Sequence, residues 1–71
     1  MRYMVVVEQG ATSFGAYVPD LPGCVAVGET ESEVLELIQE AIEFHLEGLQ
    51  EQGERPPVPH SFSAFVDVAA A

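Results

Sequence analysis

Four side chains of this 71-residue sequence have groups that could do chemistry near neutral pH: Asp20, Cys24, His45 and His60. The thiol of Cys24 could act as a nucleophile if a base lay beside it and a cation or a helix N-terminus lowered its pKa. Either histidine could act as a general base, and Asp20 as an acid, a base or a metal ligand. A small hydrolase or nuclease that uses Asp20, His45 or Cys24 is therefore one hypothesis.

The surroundings of these residues favour structural roles. Cys24 begins an apolar stretch with glutamates nearby, which predicts a packed, protonated thiol. His45 lies on or beside the apolar face of a predicted helix. His60 follows Pro59 in a loop and has no obvious companion. The histidines and Cys24 do not have a zinc-binding spacing, so we expect no catalytic residue, metal or cofactor.

The stretch "VPDLPGCV" predicts a rigid corner between two strands. Pro22 followed by Gly23 suits the two central positions of a type II turn. Asp20 is explained as a turn former whose carboxylate accepts nearby amide hydrogens. The predicted structural turn therefore consists of Pro19, Asp20, Pro22 and Gly23.

The length predicts one small domain, residues 1–71, with a thin hydrophobic core. A single cysteine cannot form an internal disulfide, so oligomerisation is the favoured source of extra stability. We expect a homo-dimer or a higher oligomer. The apolar run from Tyr3 to Val7 is too short for a signal peptide or a membrane span. The expected location is the cytoplasm, and one free cysteine agrees with a reducing compartment.

The charge balance is strongly acidic. Twelve acidic residues face only Arg2 and Arg55, which gives a net charge of −10. Proteins that bind nucleic acids neutralise phosphates with lysine and arginine, so direct binding of DNA or RNA is not expected. A positively charged protein is the better partner. The alternative is that the acidity only keeps the chain in solution.

Local patterns predict five elements. A capping box at Thr30 to Glu33 begins the helix, and Gly53 ends it. Four stretches are rich in β-branched and aromatic residues or alternate between apolar and polar side chains, which is typical of strands. The predicted strands are about 3–8, 14–18, 24–27 and 61–68, and the predicted helix is about 31–52.

The order β-β-β-α-β predicts an α+β fold in two layers. Three strands form an antiparallel meander, and the helix crosses over to lay the fourth strand parallel to the first, in a mixed four-stranded sheet. The first strand is apolar on both sides, and which side meets the helix is left open. One helix covers only one face of the sheet, which also favours an oligomer or a bound partner.

The predicted helix has seven glutamates and no basic residue between Glu31 and Gln52. Like charges four residues apart each cost a few tenths of a kcal/mol in an isolated helix. A helix optimised only for stability would mix in lysines. The pattern is what a docking face for a basic protein would have, and a solvated acidic face is the alternative. The candidate contacts are Glu36, Glu40, Glu43 and Glu47.

Four motifs together resemble the HicB family of antitoxins. They are the "PDLPGC" corner, the "GET" start of the helix, the "EAI" helix centre and the "GERPP" exit, in the family's order and spacing. With the strands, they cover nearly the whole chain. The resemblance implies a truncated ribonuclease-H-like fold and a type II toxin–antitoxin role, in which the protein binds and silences a small basic HicA-type toxin that cleaves mRNA. It also implies that the chain is not an enzyme.

One feature departs from that family. Many members carry a C-terminal DNA-binding domain, whereas this chain ends about where the small domain does. We therefore expect a stand-alone member that does not bind an operator by itself. The alternative function is an orphan homo-oligomeric structural or ligand-binding domain with no toxin partner.

Overall fold

The computed structural model describes residues 1–70 and has three strands followed by one helix. Strand β1 is Val6–Gln9, β2 is Phe14–Tyr17, β3 is Val25–Gly28, and helix α1 is Glu31–Glu51. Both strand pairs are antiparallel, and the sheet order is β1-β2-β3. The predicted α+β meander followed by a long helix is confirmed.

The predicted fourth strand is wrong for the single chain. The described residues that follow α1 contain no strand, so the sheet has three strands instead of four, and the ribonuclease-H-like arrangement is not confirmed. Residues 62–70 leave the body of the protein with all their side chains exposed. The alternation of apolar and polar residues at 61–68 is typical of a strand with one buried face. It does not identify the element that covers this face.

Strand β1 begins three residues later than predicted because its partner strand ends early. Val6 pairs with Tyr17, the last residue of β2. Two residues further on, Pro19 has no amide hydrogen to donate to a ladder. Tyr3 and Val5 therefore have no ladder partner, yet both pack against the core. This packing shows which side of the first strand meets the helix.

The core lies between the sheet and the inner side of α1. Leu21, Val34 and Ile38 are the largest fully buried side chains, and Ala16, Val18 and Cys24 complete the buried apolar set. Half of this set comes from Val18 to Cys24, the corner between β2 and β3. That corner therefore supplies a large share of a small core, in addition to reversing the chain.

Helix α1 has a defined start and a defined end. The Thr30 hydroxyl accepts a hydrogen bond from the Glu33 amide at 3.1 Å, and the Glu33 carboxylate accepts one from the Glu29 amide at 3.0 Å. At the other end, Gly53 has a φ of 75°, and the Glu54 amide donates to the Leu49 carbonyl. These are the bonds of a Schellman motif. They explain why the predicted helix bounds agree with the structure to within a residue.

Candidate functional site

The outer face of α1 is a continuous acidic stripe. Glu36, Glu40, Glu43 and Glu47 are all exposed, at spacings of four, three and four residues. At 100° per residue these positions fall within one narrow sector of the helix. The buried residues Val34 and Ile38 lie on the opposite side. We call these four glutamates the acidic stripe.

The acidic stripe has no cation to neutralise it. Neither arginine forms an ion pair with it, and the only ion pair among residues 1–70 joins His60 to Asp20. The last turn of α1 also lacks a basic residue, so the negative end of the helix dipole is uncompensated. The stripe is therefore a surface of strong negative potential, to which a cationic partner would be attracted.

Apolar side chains lie beside the acidic stripe and on the open face of the sheet. Phe44 is 80% exposed although it lies in the middle of α1. It borders a shallow groove between the helix and the start of β3, where His45 is half-buried. On the sheet face away from the helix, Tyr17, Val25 and Val27 are also exposed. A protein partner could thus find both charge and apolar surface.

Asp20 is buried, and its carboxylate binds the segment that follows the helix. Its Oδ2 accepts from the amides of His60 and Ser61, each at 2.9 Å, and its Oδ1 accepts from the Ser61 hydroxyl at 2.6 Å. The hydrogen bonds from Ser61 are the main cause that lowers the pKa of Asp20 to about 2. The carboxylate is thus saturated by donors from residues about 40 positions away, and it is not poised for acid–base chemistry.

His60 has a companion that the sequence did not suggest. Its Nε2 lies 3.2 Å from Asp20 Oδ1, while the ring remains largely exposed. The Tyr3 hydroxyl fixes the same segment by donating to the Pro57 carbonyl. Sequence reasoning overlooked Ser61, which provides two of the donors to Asp20. An isolated serine in an alternating stretch gives no signal for such a contact across the fold.

The corner itself contains two consecutive hydrogen-bonded turns. The Leu21 amide donates to the Val18 carbonyl, and the Cys24 amide donates to the Leu21 carbonyl, each at 3.1 Å. Gly23 has a φ of 84°, as the third position of a type II turn requires. Cys24 is buried as predicted, and burial raises its pKa, which keeps it a thiol. This environment opposes nucleophilic chemistry.

The potential catalytic groups are not brought together. Asp20 and His60 meet, but His45 lies in the groove beside α1, and Cys24 is buried. Within residues 1–70, no three side chains of the kind that bind metals form a cluster. In the same part of the chain, no helix is long and apolar enough to cross a bilayer. The geometry therefore gives more support to a binding surface than to a catalytic centre.

Comparison with known proteins identifies several relatives. The chain is 34% identical over 67 residues to an uncharacterised 14.9 kDa protein of Haemophilus phage HP1, covering 94% of this chain and 50% of the phage protein. It is 36% identical over 58 residues to a UPF0150 protein of Thermoplasma acidophilum, covering 80% and 84% of the two chains. A UPF0150 protein of Helicobacter pylori is 42% identical over 50 residues, covering 70% and 69%.

These relatives differ in length from the present chain, which spans half of the phage protein and most of the Thermoplasma protein. A family model described as the HicB-like antitoxin of bacterial toxin–antitoxin systems matches residues 3–69. The match includes the corner, the helix and the extended segment that follows it. The chain belongs to the HicB-like antitoxin family.

Proposed function

We propose that this chain is the protein-binding module of a toxin–antitoxin pair and neutralises a small basic HicA-type toxin that cleaves mRNA. The observation that carries the proposal is the acidic stripe, which is exposed and free of ion pairs with the basic residues of the described chain. An enzyme that cleaves RNA must bind phosphates with cationic side chains. A row of carboxylates on a rigid helix competes for those side chains.

The proposed contacts are Glu36, Glu40, Glu43 and Glu47, which come from one rigid element and therefore lose little conformational freedom on binding. The turn residues Pro19, Asp20, Pro22 and Gly23 hold the scaffold and are not proposed to touch the toxin. In this proposal the chain works without a catalytic residue or cofactor. It acts as a homo-oligomer in the cytoplasm and does not itself contact nucleic acid.

Co-expression with the product of an adjacent gene for a small basic protein, once such a gene is found, tests the proposal. Induction of that protein alone should arrest growth, and co-expression of this chain should restore growth. A double variant, Glu40→Lys with Glu43→Lys, should fail to restore growth while it accumulates to the same level. The matched control, Glu29→Lys with Glu54→Lys, makes the same change in net charge at two exposed residues outside α1 and should still restore growth.

Continued arrest in the presence of abundant wild-type chain would contradict the antitoxin role. Rescue by both double variants would contradict the acidic stripe as the contact surface. The absence of an adjacent gene for a small basic protein would favour the alternative, an orphan oligomeric domain whose exposed apolar sheet face binds another ligand.

A further inference from the structure

The segment after the Asp20 contact is an arm that has no partner among the described residues 1–70 of its own chain. We define the C-terminal arm as residues 62–70. Its four large apolar side chains, Phe62, Phe65, Val66 and Val68, are each more than 80% exposed. Isolated exposed apolar residues are normal, but four within seven positions form a patch that water disfavours.

The arm also makes the molecule unusually extended. The radius of gyration is 14.3 Å, whereas a compact domain of this length would have about 11 Å. The accessible surface is 5711 Å², compared with about 4300 Å² expected for a folded monomer of this mass. The excess, roughly 1400 Å², is larger than the ~800 Å² that each partner buries in a standard interface.

The direction in which the arm leaves is fixed. Asp20 holds the amides of His60 and Ser61, and Tyr3 holds the carbonyl of Pro57, so the base of the arm is anchored at two points. The residues at this base also line a shallow pocket with Arg2 to Met4, just before β1. The arm therefore starts next to the outer edge of the sheet.

No strand of the described residues pairs with that outer edge. In the order β1-β2-β3, strand β1 is paired on one side only, so the amides and carbonyls of its other side are available to a further strand. Between the segment leading into β1 and α1 runs a groove lined mainly by apolar side chains such as Val5, Leu35 and Ile42, together with Gln39 and Glu43. A strand added at this edge would place alternate side chains in the groove.

The alternating side chains of the arm suit a strand at the edge of β1. Phe62, Ala64, Val66 and Val68 would share one face, towards the groove, and Ser63, Phe65 and Asp67 would share the other. A right-handed crossover through α1 would also bring a following strand parallel to β1. The edge and the strand that completes it are thus both encoded in one sequence, although a single chain does not join them.

We propose that two copies of this chain exchange their arms, each adding residues 62–68 as a fourth strand beside β1 of the other. The exchange is reciprocal, so two identical contacts close the dimer and β1 no longer has an unpaired side. The arm has Asp67 as its only charged residue, so it brings little negative charge to a groove that Glu43 also lines. The proposal stands independently of the toxin.

The test measures molar mass by light scattering during size exclusion, at several protein concentrations. The wild type should elute as a dimer, at twice the chain mass of 7.6 kDa. Val66→Pro removes an amide from the centre of the arm without disturbing any buried contact, and it should convert the dimer to a monomer with the same helix content. Ala69→Pro lies beyond the pairing residues and should leave the dimer intact.

Three results would overturn the proposal. The first is a wild type that stays monomeric at every protein concentration, including one about 100 times higher than the concentration used for the variants. The second is a Val66→Pro variant that remains as dimeric as the wild type. The third is a dimer that withstands Val66→Pro but dissociates with Val27→Asp, because that would place the contact on the open face of the sheet.

Discussion

Asp20 shows how one carboxylate can join distant parts of a small chain. It is buried, and all its hydrogen-bond donors come from the segment that follows the helix. A buried carboxylate is stable only when such donors replace water. In a chain without disulfide bonds, this contact fixes the end of the helical crossover to the corner between β2 and β3.

Loss of the Asp20 charge should therefore lower stability in a way that depends on pH. The pKa of Asp20 is lowered from 3.8 to about 2, so its stabilising contribution is complete above about pH 4 and is lost as the pH falls through about 2. Thermal unfolding of Asp20→Asn should begin several degrees below that of the wild type at pH 6, and the difference should disappear near pH 2.

The control for this prediction is Asp67→Asn, which removes a carboxylate from the exposed arm. Its unfolding temperature should follow that of the wild type at every pH. If the difference between Asp20→Asn and the wild type stayed constant from pH 6 to pH 2, the contact with Ser61 and His60 would not depend on the charge of Asp20.

Replacing Gly28 or Gly48 with alanine should change the stability of the fold in opposite directions. A Cβ at Gly28 would lie 2.9 Å from the Val34 amide nitrogen, because β3 passes directly over the first turn of α1. Gly28→Ala should destabilise the fold by about 1–3 kcal/mol. A Cβ at Gly48, inside α1, would meet nothing within 4 Å, so Gly48→Ala should stabilise by about 0.5–1 kcal/mol. Urea unfolding of both variants would measure these values, and destabilisation by both would contradict the account of α1.

Helix α1 has well-formed hydrogen-bonded ends, but its exposed face carries glutamates that repel one another. Its capping box and its Schellman end explain why its bounds could be predicted from sequence alone. Its acidic stripe contributes repulsion in place of stability. Among the described residues this stripe forms no ion pair, and a surface that contributes repulsion is best explained by what it binds.

Charge reversal within the acidic stripe should separate binding from stability. Glu40→Lys with Glu43→Lys creates attractive pairs with Glu36 and Glu47, so the unfolding temperature should not fall. Affinity for the basic toxin should drop at least tenfold, or about 1.4 kcal/mol. Calorimetric titration at two salt concentrations would measure the change. An equal loss of affinity in the Glu29→Lys, Glu54→Lys control would indicate long-range attraction without specific contact.

The elements that could be predicted from the sequence are those whose signals lie within a few neighbouring residues. The three strands and the helix followed from β-branched runs, turn residues and caps. The late start of β1 depends on where β2 stops, and the partner of Asp20 lies 40 residues away, so neither leaves a local signal. The alternation at 61–68 was read as a strand of the same sheet, but alternation carries no information about which chain supplies the neighbouring strand.

For the whole molecule, the main feature is the arrangement of the two proposed contact surfaces. The acidic stripe lies on the outer side of α1, opposite its buried residues, whereas the arm leaves from the region beside Tyr3 and Asp20. If both proposals hold, a dimer would present two acidic stripes at once. Because Glu43 belongs to the acidic stripe and also lines the groove proposed for the arm, toxin binding and dimerisation would meet at this residue.

Inhibition of RNA cleavage tests the central claim most directly. The purified small basic toxin would be incubated with a labelled mRNA and increasing amounts of this chain, at low and moderate salt. We predict that cleavage stops when the two chains are equimolar, and that at moderate salt more of this chain is needed. Undiminished cleavage in a large excess of this chain would contradict the antitoxin assignment, with a reaction that contains this chain and the RNA alone as the control.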